Sequence, residues 1–141
     1  MFRGGVDHQL DDKGRITIPA KFRSSLSPVC FLTRGWHGCL FIFPWDKWRE
    51  IEQRLEAVRI TDMQAIAVQR FFSSGTEVQL DAQGRLFLPP QLREYAGIQK
   101  DVVIRGTANR IEVWSKANWD HYDRTELSLE KIVEKAAALG I

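Results

Sequence analysis

The 141-residue chain is expected to be an α+β protein, mainly β, in which two tandem ββαββ units interlock about a pseudo-twofold axis into one barrel with flanking helices. Three observations lead there. The first is an internal repeat. Leu10-Asp11-Asp12-Lys13-Gly14-Arg15-Ile16-Thr17-Ile18-Pro19 returns without a gap as Leu80-Asp81-Ala82-Gln83-Gly84-Arg85-Leu86-Phe87-Leu88-Pro89. The second is a further matched block in the same order, Leu40-Phe41-Ile42-Phe43 through Trp48 against Ile111-Glu112-Val113-Trp114 through Trp119. The third is size. Without its helical tail each copy has roughly 40 residues, near the floor for independent folding, and closing two such sheets on one another removes exposed edges.

Each copy reads the same way along the chain. An alternating run opens it, with Val6, His8 and Leu10 on one face in the first copy and Val78 and Leu80 in the second. A hairpin turn follows, with Asp at its start to accept from the backbone amide two residues on and Gly near its end to take positive φ. The next strand turns Ile16 and Ile18 inward, or Leu86 and Leu88, so residues 15 and 17 face out. Pro19 and Pro89 end that strand and suit a helix start. The helix carries Phe22 and Leu26, or Leu92, Tyr95 and Ala96, with Gly97 as a cap. A second hairpin closes each copy: residues 29–32 and 39–43 around Gly35 and Gly38, or 102–104 and 111–114 around Gly106 and Asn109.

Residues 45–72 read as two helices, one with Trp48, Ile51, Leu55 and Val58 at helical spacing, the other capped by Asp62. A short helix is expected at 115–122, and an amphipathic one after Ser128 bearing Leu129, Ile132, Val133 and Ala136. The first unit with its linking helices is assigned to 1–74 and the second with the C-terminal helix to 75–141.

Hydrophobic residues make up 44% and charged residues 27%, which excludes a disordered chain. No apolar run reaches the roughly 18 residues of a membrane span, and the N-terminal residues have no apolar signal core. A cytoplasmic protein that does not engage membranes is expected, and two cysteines, Cys30 and Cys39, fit a reducing compartment. The net charge is +2. From Asp120 onward the acids Asp120, Asp123, Glu126, Glu130 and Glu134 outnumber Arg124, Lys131 and Lys135, leaving the body basic. That is a weak pointer to phosphate.

The chemistry concentrates in the repeated turns. Arg15 and Arg85 should stand exposed as a pair on one surface, with Lys13 and Gln83 at the matching tips and Gly14 and Gly84 closing the turns. An arginine fork grips phosphate, or guanine O6 and N7 together. The bland alternative is that each Arg pairs with its own Asp11 or Asp81 and steadies the turn; both hold if Asp orients the Arg and leaves donors free. Arg23 and Arg93, a helix turn away, and Arg3 are candidates for backbone phosphate contacts. Enzyme signals are thin. His8, His37 and His121 form no recognisable triad, Cys30-His37-Cys39 lacks a fourth metal ligand, and no Walker or dinucleotide loop occurs. A metal-dependent hydrolase on Asp11, Asp12 or Asp81 is a distant reading. No catalytic residue, metal or cofactor is assigned.

These residues resemble the MraZ family of bacterial transcriptional regulators, which are built from two AbrB-like modules. The resemblance covers essentially the whole chain. It rests on Met1-Phe2-Arg3-Gly4, on both Asp-x-x-Gly-Arg turns, on the Trp45-to-Leu55 helix and on the Phe71-to-Glu77 entry into the second copy. It implies an intramolecular swapped-hairpin barrel, and it makes Asp11…Arg15 and Asp81…Arg85 a DNA-binding signature. It also implies ring homo-oligomers that bind tandem repeats of double-stranded DNA in the promoter of the division and cell-wall gene cluster, and association with the nucleoid. The competing expectation is a ring-forming protein-interaction module without specific DNA binding. Lys13 against Gln83 and Thr17 against Phe87 set the two turns apart.

Overall fold

The computed structural model describes residues 1–125 and 128–141; Glu126, counted above in the acidic tail, lies outside them. The chain runs β1 (Phe2–Gln9), β2 (Arg15–Thr17), α1 (Ala20–Leu26), β3 (Cys30–Arg34), β4 (Leu40–Pro44), α2 (Trp45–Glu56), α3 (Met63–Phe72), β5 (Thr76–Val78), β6 (Arg85–Phe87), α4 (Pro90–Ala96), β7 (Asp101–Ala108), β8 (Arg110–Ser115), α5 (Lys116–Thr125) and α6 (Leu129–Ala138). It is α+β, a sheet and a two-stranded ribbon with six α-helices among the described residues.

The strand order is β1-β7-β8-β4-β3-β5, with a separate ribbon β2-β6. Under the repeat β1 corresponds to β5, β7 to β3 and β8 to β4, so the order is palindromic about the β8–β4 pair. Each copy's first strand is an edge laid antiparallel on the other copy's hairpin: Val6 opposite Ile104 in one half, Cys30 opposite Val78 in the other. The ribbon also takes one strand from each copy. Neither copy holds a complete sheet of its own, the remedy expected for units of this size.

The six-stranded sheet is covered on both faces, which is why its central strands read Cys-Phe-Leu-Thr-Arg and Leu-Phe-Ile-Phe-Pro instead of alternating with polar residues. Cys30, Leu32, Leu40, Ile42, Ile104, Ile111 and Val113 pack with Ile16, Ile18, Leu86 and Leu88 and with α1 and α4. Phe31, Phe41, Phe43, Val103 and Trp114 pack on the opposite face against α2, α3 and α5. There Phe31 stacks on Trp48 at 3.7 Å between ring centroids.

Several expectations are corrected. The sheet is open among the described residues, with β1 and β5 at its edges, and does not close into a barrel. Residues 10–14 do not join a local hairpin: β1 pairs with β7 and β2 with β6, so the turn carries the chain from sheet to ribbon. Val6 shares a face with Phe2 and His8, the face its partner Ile104 turns to the core, yet it is 40% exposed because β1 is an edge strand with no neighbour on its outer side. Gly106 lies inside β7 opposite Gly4, where β1 crosses too close for a side chain; the turn is at Ala108 and Asn109. Val58 falls beyond α2, and α5 runs to Thr125. No helix among the described residues is long and apolar enough to cross a membrane.

Candidate nucleic-acid interface

The two repeated turns share one hydrogen-bond scheme. Asp11 Oδ1 accepts from the amides of Lys13 and Arg15, both at 2.9 Å, and Oδ2 accepts from Arg15 Nε at 2.8 Å. Asp81 Oδ1 accepts from the amides of Gln83 at 3.0 Å and Arg85 at 2.9 Å, and Oδ2 from Arg85 Nε at 2.7 Å. The Gly14 and Gly84 amides close the loops on the Asp11 and Asp81 carbonyls. Both glycines sit at positive φ, 76° and 74°, where other residues are strained.

Each carboxylate therefore holds the backbone with one oxygen and the guanidinium with the other. Partial burial pushes the Asp11 carboxyl up, but the Arg15 amide and guanidinium and the Lys13 amide outweigh it and hold it below the usual range. The Arg85 amide does most to lower Asp81, against some desolvation, helped by the Arg85 guanidinium and the Gln83 amide.

The ribbon then sets the arginines side by side. Ile16 pairs with Leu86 and both are fully buried. Arg15, Thr17, Arg85 and Phe87 consequently share the outer face. Arg15 is opposite Phe87 and Arg85 opposite Thr17, so the two arginines are diagonal neighbours, about 7–8 Å apart at that register. Their side chains are 25% and 31% exposed, half-buried where the sequence suggested full exposure, because each lies along its own turn. Nε is spent on Asp. The terminal nitrogens of Arg15 have no hydrogen-bond partner among the described residues, whereas Arg85 Nη2 donates to Gln83 Oε1 at 3.2 Å. Lys13 is exposed and offers no acceptor to Arg15. Orientation by Asp and free donors thus coexist.

Arg23 and Arg93 reach the turns from α1 and α4. Arg23 Nε donates to the Ile18 carbonyl at 2.9 Å, and its guanidinium lies against Gly84 of the other copy. Arg93 lies against Gly14, with its guanidinium 5.9 Å from the Phe87 ring and its buried Nε unpaired. They buttress the turns from behind. Arg3 is near the opposite end of β1, about 20 Å of strand from the turn; with Lys21 and Phe22 it lines a cleft of about 750 Å³.

The alternation of the ribbon also placed Phe87 outward, a signal passed over, and it is 48% exposed. His8 was missed as a support: its Nε2 accepts from the Thr17 amide at 3.2 Å, tying β1 to the ribbon. Cys30 and Cys39 are buried on opposite faces of the sheet. Burial pushes the Cys30 thiol up to about 12 and raises Cys39 further. Among the described residues no three His, Cys, Asp or Glu side chains are grouped to hold a metal ion.

Fold and site together define a two-copy α+β protein that presents paired, carboxylate-oriented arginines on a shared ribbon. The family model described as "MraZ protein, putative antitoxin-like" matches residues 1–71 and again 71–139. Similar proteins include "Transcriptional regulator MraZ" of Halothermothrix orenii, 49% identical, and of Natranaerobius thermophilus, 46% identical, each over 143 aligned positions and all of both chains. The protein of the same name from Clostridium beijerinckii is 44% identical over 142 positions, again across both chains. The chain belongs to the MraZ family.

Proposed function

We propose that this protein is a transcriptional regulator that binds double-stranded DNA sequence-specifically and catalyses no reaction. The observation that carries the reading is the pair Arg15 and Arg85. Both are fixed through Nε on the outer face of one two-stranded ribbon, and the terminal nitrogens of Arg15 have no partner among the described residues, a shape that fits the major groove. Lys13, Gly14, Gln83 and Gly84 form the rest of the contact surface, oriented by Asp11 and Asp81. Arg23 and Arg93 act by holding the turns, and Arg3 by contacting flanking phosphate.

Each turn nearly balances its own charge, so one subunit attracts the DNA backbone weakly. A ring of subunits on tandem repeats raises the effective concentration of each ribbon. Helix α6 supports an assembling chain: it buries no residue, and Leu129, Ile132 and Val133 are 73%, 47% and 59% exposed. The proposed target is the promoter of the division and cell-wall gene cluster, and the proposed location the cytoplasm, on the nucleoid. The competing reading, a ring-forming interaction module, draws on the same α6 face.

Fluorescence anisotropy with a duplex from upstream of the protein's own gene, against a scrambled duplex and across salt concentrations, tests this. Preferential binding that is lost in a folded Arg15→Ala/Arg85→Ala variant is expected. Equal binding to both duplexes with a steep salt slope would leave backbone attraction alone, and no binding would favour the interaction module.

A further inference from the structure

We propose that Phe87 reads DNA by burying the C5-methyl group of a thymine beside the base met by Arg15, so that the two halves of the ribbon read different bases. The inference rests on the DNA-binding reading above and deepens it.

Phe87 is opposite Arg15 on the ribbon's outer face. The equivalent position in the other half, opposite Arg85, is Thr17. One half therefore presents arginine with a bare aromatic ring, the other arginine with a hydroxyl. The ring does little for the core: Ile16, Ile18, Leu86 and Leu88 beneath it are fully buried, while 48% of Phe87 remains in water.

The ring is nonetheless held. The Arg93 guanidinium stands 5.9 Å from its centroid, and Gly14 lies against it, where an added Cβ would stand 3.3 Å from Phe87 Cε1. A propped apolar group next to a forked donor complements the major-groove edge, where guanine offers O6 and N7 and thymine alone offers a methyl. Phenylalanine makes no hydrogen bond, so its discrimination comes from covering that methyl. Loss of one such contact weakens binding about four-fold.

The test measures the intact protein on two otherwise identical promoter duplexes, one with thymine and one with deoxyuridine throughout, which lacks only the methyl. Wild type should favour the thymine duplex about four-fold or more, Phe87→Leu should keep the preference, and Phe87→Ser should lose it. Equal wild-type affinity for the two duplexes, or a preference that survives in Phe87→Ser, overturns the assignment while leaving specific DNA binding intact. If Phe87→Ser does not fold, Phe87→Asn takes its place, with loss of the preference expected and its survival overturning the assignment. If neither promoter duplex outcompetes a scrambled one, the DNA-binding reading itself falls, and this inference with it.

Discussion

Arg23 of the first copy lies across Gly84 of the second so closely that a Cβ at position 84 would fall within its guanidinium group, and Arg93 lies in the same way across Gly14. The repeated turn of each copy is thus seated on the helix of the other. Strand exchange in the sheet and seating of the turns are one arrangement: Ile18 donates its amide to the Gly84 carbonyl, and Leu88 to that of Gly14, each at 2.9 Å.

Gly84→Ala should therefore destabilise the protein more than Gly14→Ala. Both place a Cβ at positive φ, which costs about 1–2 kcal/mol. At 84 the new atom also displaces Arg23 from its bond to the Ile18 carbonyl, a charged hydrogen bond contributing about 1.5–3 kcal/mol. At 14 the nearest atom is Arg93 Cζ at 3.2 Å, part of a flexible side chain able to give by a few tenths of an ångström. Urea denaturation of the two variants checks the order; equal losses would mean that Arg23 does not hold the turn.

The buttressing arginines themselves should differ. Arg23→Met loses a made hydrogen bond and leaves the Ile18 carbonyl without it, so a loss of about 1–3 kcal/mol is expected. Arg93→Met removes a buried Nε that has no partner among the described residues, at the expense of the contact with the Phe87 ring, and should be within about 1 kcal/mol of wild type. Thermal melts of both give the comparison.

Much of this was legible in the chain. The 70-residue repeat revealed the paired turns, and the alternation about Ile16 and Leu86 revealed which ribbon face is outward. Pairing was not legible. A turn with Asp and Gly at fixed places looks the same whether it closes a hairpin or hands the chain from a sheet to a ribbon, and only the non-local partners, Ile104 for Val6 and Leu86 for Ile16, decide. The seating of Arg23 and Arg93 was not legible for the same reason: a surface charge and a charge seated on another copy's glycine have the same local sequence.

Asp11→Asn and Asp81→Asn should separate the turn from the orientation of its arginine. The amide retains one oxygen for the two backbone N–H groups but turns an NH₂ toward Arg Nε where Oδ2 accepted. Specific DNA binding should fall about ten-fold per site with little change in circular dichroism. Acid should do the same to the native residues. Both carboxyls are held below their ordinary value, so their contribution is complete above the unfolded value near ~4 and is lost as pH falls through the lower folded values. Turn integrity should be constant from pH 7 to about 5 and decline only below about 4, read from the Nε–H resonances of Arg15 and Arg85.

The tips should contribute differently to salt dependence. Lys13 is exposed and makes no ion pair among the described residues, while Gln83 is neutral and holds Arg85 Nη2. Lys13→Gln should lower the slope of log binding constant against log salt by about 1 for each subunit bound and weaken all sequences alike. Gln83→Ala should leave that slope unchanged but erode specificity, because it frees Arg85 to swing. Binding measured at four salt concentrations distinguishes the two effects.

Helix α6 should matter for assembly and not for the fold of one subunit. Its cap is sound, with Ser128 Oγ accepting from the Lys131 amide at 3.4 Å, yet none of its residues is buried. An apolar stripe left in water is offset only by a partner. Leu129→Asp/Val133→Asp puts charge on that stripe without touching the sheet, so the melting temperature of the separated subunit should be nearly unchanged while the mass seen by light scattering falls. Binding to a single-repeat duplex should survive, and binding to tandem repeats should lose the gain in effective concentration, about 10²-fold or more for linked sites. An unchanged mass would take α6 out of the assembly and leave its stripe without that role.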